Sequence, residues 1–103
     1  MAISTETLSG YVMDAECVRK SPVDEVLDRA RAHSRDCGLM GHCAESGFVL
    51  VDENGRAAFL DDEATVPVLD AIRRSGKDSG IRLRAFRKRA GENMHTSHVE
   101  EIG

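Results

Sequence analysis

Eleven consecutive residues, His33-Ser34-Arg35-Asp36-Cys37-Gly38-Leu39-Met40-Gly41-His42-Cys43, hold two of the three cysteines, two of the four histidines and one of the four methionines of this 103-residue chain. Any fold the chain adopts has to place this run. Cys17 is the remaining thiol, and it follows a strand-like segment that ends at Asp14. Three thiols cannot all pair within one chain, and a reducing compartment disfavours disulfides. Metal ligation, redox chemistry or plain burial must therefore account for them. Convergence of Cys17, His33, Cys37 and Cys43 on a single ion uses all three thiols and one imidazole. Those are the donors that four-coordinate zinc favours.

The flanking sequence supplies a way to bring the groups together. Ser21 can cap a helix, Pro22 suits its first position, and Asp24 and Glu25 suit its positive end. Val23, Val26, Leu27 and Ala30 then recur at helical spacing and predict one apolar stripe over residues 22–35. His33 continues the stripe, and Cys37, four residues on, projects from the same face. Gly38 and Gly41 leave the backbone free to turn tightly around the ligands.

Other readings of these residues stay open at this stage. Copper is the competing ion, because Met40 and His42 adjoin Cys43 and a thioether favours copper(I). The ordinary role of such a methionine is packing on the core. His42 is a candidate to support a ligand from outside the coordination sphere, or is simply exposed. Asp14 either completes the coordination sphere or hydrogen-bonds a ligand imidazole and fixes its tautomer, or else caps the segment entering the helix. Cys37 and Cys43 are a candidate redox pair, with Met40 and His42 in a copper-handling version, although their spacing is not the C-x-x-C that tunes thiols. Four protein ligands leave no open position, so the zinc is expected to be structural and the role that of a binding or accessory module, without catalysis.

The rest of the chain predicts a mainly β fold. Thr7 to Met13 reads as a strand in which Gly10 marks a bulge or a close backbone contact. Phe48-Val49-Leu50-Val51 reads as a strand buried on both faces, and Asn54-Gly55 predicts a hairpin returning through Ala57 to Leu60. A helix is expected from Thr65-Val66-Pro67 to Gly76, with Val66, Leu69 and Ile72 inward. Ile81 to Ala85 alternates as a fourth strand, and Met94 to Ile102 is a fifth. The expectation is α+β, mainly β with two helices: a small five-stranded OB-like barrel. A helical, Cys/His-bearing insertion over residues 14–47 separates strands 1 and 2. The chain reads as a single domain over 1–103, folded from 7 to 103.

Three segments carry a resemblance. Gly10-Tyr11-Val12-Met13-Asp14 with Cys17 fits a G-x-V-x-D-x-x-C opening. His33-x-x-x-Cys37 followed by Cys43-Ala44-Glu45-Ser46-Gly47 fits H-x3-C…C-A-x-x-G, and Val51 to Gly55 fits the hairpin that follows. This resembles a group of small, functionally uncharacterised bacterial domains, many exported, with an Asp-x-x-Cys…His-x3-Cys…Cys signature on an OB-like strand pattern. The gap between the last two cysteines is longer here than is usual for that group, and Met40 and His42 lie within it.

Charge and hydropathy narrow the function classes. A net charge of −4 and a pI near 5.5 count against a nucleic-acid binder. Arg82, Arg84, Arg87, Lys88 and Arg89 form the one basic cluster, and Phe86 is its lone aromatic. That cluster reads as a solvated strand face, with a weak nucleic-acid-binding OB module, its basic strand face gripping a phosphate backbone, as a further alternative. His95 and His98 stand three apart on a strand and make a poor ligand pair. No run is long enough to cross a bilayer, and the polar first ten residues lack a secretion signal. A cytoplasmic chain is expected, or an exported one if a leader once preceded it. Its partner would be a protein or a small molecule, with no membrane contact.

Overall fold

A computed structural model describes residues 4–39, 41 and 45–103. Five strands form one antiparallel sheet: β1 (Ser4–Asp14), β2 (Phe48–Val51), β3 (Ala57–Phe59), β4 (Arg82–Ala90) and β5 (Asn93–Ile102). Their order across the sheet is β3-β2-β1-β4-β5. Four α-helices accompany them among the described residues: α1 (Ala15–Lys20), α2 (Val26–Ala32), α3 (Arg35–Leu39) and α4 (Thr65–Arg74). Short 3-10 turns, Val23–Glu25 and Asp62–Ala64, lead into α2 and α4.

Alternation along β1 and β2 builds two cores, one on each side of the sheet. Val12, Phe48 and Leu50 face the larger, with Leu83, Ala85 and Val99, under Ala64, Val68, Ala71 and Ile72 of the α4 region. Met13, Val49 and Val51 face the smaller, with Ala15, Val26 and Ala30 of α1 and α2. The expected two-sided burial of β2 is met. At Gly10, β1 lies so close to β2 that an added Cβ would stand 2.5 Å from the carbonyl oxygen of Val51. The glycine marks close backbone approach.

The hairpin forms where Asn54-Gly55 places it. Gly55 N–H donates to the Asp52 carbonyl at 2.9 Å, and the Asp52 carboxylate accepts from the N–H groups of Asn54 and Arg56.

Two expectations are corrected. The sheet does not close into a barrel: β3 and β5 are its edges, and side chains span the gap between them. The Asp61 carboxylate accepts from Thr96 N–H at 3.0 Å and Thr96 Oγ1 at 2.5 Å, and Arg87 donates to the Phe59 carbonyl at 3.2 Å. Nor is the helix content two long helices. The expected helix over 22–35 breaks at His33, and Ser21 ends α1 instead of starting α2. Val23 is 91% exposed, and Val66 is exposed as well. In α4 Ile72 is buried and Leu69 packs against the core as expected, but the stripe is completed by Val68 and Ala71 instead of Val66.

Candidate metal centre

Asp14, Cys17, His33 and Cys37 come together, with one ligand atom from each lying within 4.8 Å of every other. Each arrives by a different local device. Asp14 is the last residue of β1 and the N-cap of α1; its extended backbone (φ −78°, ψ 150°) lets Oδ2 accept from Cys17 N–H at 2.9 Å. The Gly47 carbonyl accepts from Ala15 N–H at 2.9 Å and pins the same turn. Cys17 is thereby held one helical turn from the sheet.

His33 sits where α2 ends. Its N–H closes the last turn on Ala30, and its own backbone then goes extended (φ −63°, ψ 124°). Ser34 follows, with Oγ accepting from Cys37 N–H at 3.0 Å and starting α3. His33 and Cys37 are therefore not two rungs of one helix, as their spacing predicted. They meet across a helix break.

Residues 78–80 hold that break open. Arg35 N–H donates to the Asp78 carbonyl at 2.7 Å, and Gly80 N–H donates to the His33 carbonyl at 3.2 Å. Arg35 also donates to the Ile72 and Arg73 carbonyls at 3.1 and 2.7 Å, tying α3 to the end of α4. None of this docking was visible as a motif.

The chemistry of the cluster turns on Asp14 and His33. Asp14 Oδ1 and His33 Nε2 are 2.9 Å apart, and both side chains are nearly sealed from solvent. Burial alone would push the Asp14 carboxyl up. Hydrogen bonds from the Cys17 side chain and backbone and from His33, with the His33 charge, outweigh it and hold Asp14 below its ordinary value. A buried, ionised carboxylate beside an imidazole and two thiol sulfurs is a donor set suited to a divalent ion. Around a tetrahedral zinc, neighbouring ligand atoms lie roughly 3.3–3.8 Å apart, given metal–ligand distances of about 2.0–2.3 Å. The cluster is about one ångström looser than that at its widest, within reach of side-chain rotation.

Three of the sequence candidates are thus in the cluster, and Asp14 joins them both as a helix cap and as a possible ligand. Cys43, His42 and Met40 lie outside the described residues. His95 and His98 do not meet: His95 pairs with Glu63 at 2.6 Å, and His98 stacks near Phe86. No helix among the described residues is long and apolar enough to cross a membrane. No family model, curated protein or solved structure matches the chain.

Proposed function

We propose that this protein is a small zinc-binding module in which one ion ties the helical excursion between β1 and β2 to the sheet. The observation that carries this is the meeting of Asp14, Cys17, His33 and Cys37 from four separate local elements. Two thiolates, an imidazole and a carboxylate favour zinc over copper(I), which selects softer donors than a carboxylate. Cys43 remains a candidate ligand in place of Asp14, and His42 a candidate support. A closed four-ligand set gives the ion a structural task, so the module binds or assists instead of catalysing.

The strand order supports an OB-like reading, being that of a five-stranded barrel cut between β3 and β5. The signature from Asp14 to Cys43 supports kinship with the bacterial group named above. Replacing Cys37 with Ser tests the function. Zinc content and melting temperature should fall together. Full zinc content in that variant would remove Cys37 from the site.

A further inference from the structure

The basic cluster on β4 has no part in the metal centre, and strand alternation divides it: Arg82, Arg84 and Lys88 share a face with Phe86, while Arg87 and Arg89 turn to the side of Leu83 and Ala85. Helices of the smaller core cover Met13, Val49 and Val51, but no residue of β4 or β5 belongs to that core. On this uncovered face the ladder sets Thr7 opposite Phe86 and Phe86 opposite His98. The two rings lie 5.6 Å apart, tilted by 33°, and the imidazole is 61% exposed. Together with Thr5, Glu6, Thr7, Arg87, Lys88 and Ser97 they line a hollow of ≈ 440 Å³ at the bulge between Phe86 and Arg87.

The same face continues as a cationic track. Arg84 and Arg82 follow Phe86 at alternate positions, and four residues of strand carry the track about 13 Å. It ends at Tyr11, whose ring has the Arg82 and Arg31 guanidiniums 5.7 and 5.8 Å from its centroid. Rings thus stand at both ends with guanidiniums between them. Acids beside the track are engaged: Glu53 with Arg31, and Glu100 with Arg84 at 3.4 Å and His98 at 3.6 Å; Glu6 pairs with Arg87 on the opposite face.

We propose that this face binds single-stranded nucleic acid. One base enters the hollow and stacks on Phe86 and His98. Phosphates lie along Lys88 and Arg84, and a base further along the strand reaches Tyr11. An exposed sheet whose aromatic side chains stack two or three bases is an established physical route to strand binding. The sequence counted Phe86 alone; the ladder supplies His98 and Tyr11. Because a phosphate must displace Glu100 from Arg84, binding is weak and falls steeply with salt.

The test is fluorescence anisotropy of the full chain with a labelled ten-nucleotide single strand of mixed sequence at low salt. The intact strand should bind, and the same strand with abasic sites should bind about tenfold more weakly. Phe86→Ala should cost a similar factor, and His98→Ala makes the same test at an exposed ring without disturbing the core. Lys88→Glu should weaken binding and flatten its salt dependence. Absence of strand binding overturns the proposal, as does equal binding of the abasic strand. Adenosine monophosphate binding as tightly as the strand would also overturn it. None of these outcomes depends on the metal centre.

Discussion

The Asp14 carboxylate serves two partners at once. Oδ2 caps α1 through Cys17 N–H, and Oδ1 stands 2.9 Å from Nε2 of His33, 19 positions along the chain. One side chain therefore starts the helix that carries the first thiol and orients the imidazole beside it. Asp14→Asn keeps an acceptor for the cap but loses the charge. Zinc affinity should drop by at least about tenfold, measured by competition with a chromophoric chelator. Asp14→Ala loses the cap as well and strands a buried imidazole, so unfolding free energy should fall by about 3 kcal/mol in denaturant titration.

Gly80 is a remote determinant of the same site. It has φ +63°, and a Cβ there would meet the Arg31 carbonyl oxygen at 2.8 Å. Its N–H also bonds the His33 carbonyl. Gly80→Ala should cost about 1–2 kcal/mol of stability and weaken zinc binding with it. Gly76→Ala, where nothing lies within 4 Å of the new methyl, is the control and should leave zinc affinity unchanged.

Acid should loosen the gap between β3 and β5. Burial pushes the Asp61 carboxyl up, but its bonds from Thr96 and the Arg87 charge prevail, and its pKa lies below the ordinary value. A carboxylate depressed in the folded state stabilises fully above its unfolded pKa of about 3.9 and loses that contribution as pH falls through the folded value. The stability difference between the wild type and Asp61→Asn should hold steady from neutral pH to about 4 and shrink below it. Urea midpoints across that range measure it.

Much of the fold was legible in the sequence because its signals are local. Phe48 to Val51 is a continuous apolar run, and Asn54-Gly55 specifies its own turn, so β2 and the hairpin fell where expected. The first helix failed for a physical reason. Apolar spacing from Val26 to His33 describes a stripe, but it cannot reveal that Ser34 caps a new helix or that Gly80 and Asp78 hold the chain extended at His33. Those partners lie more than forty residues away. The barrel failed likewise: strand order was readable, whereas the Asp61–Thr96 bridge that stands in place of a β3–β5 ladder is a tertiary contact. The candidate donor types were plain from composition, but the dual use of Asp14 required the geometry.

The most direct test of the metal centre is X-ray absorption at the zinc edge, together with elemental analysis, on protein purified without added metal. The expected result is one zinc per chain, with two sulfurs at about 2.3 Å and two nitrogen or oxygen ligands at about 2.0 Å. Three sulfurs would bring Cys43 into the place of Asp14 and leave the centre itself intact. A chain that carries no zinc, or a zinc shell without sulfur, would contradict the account.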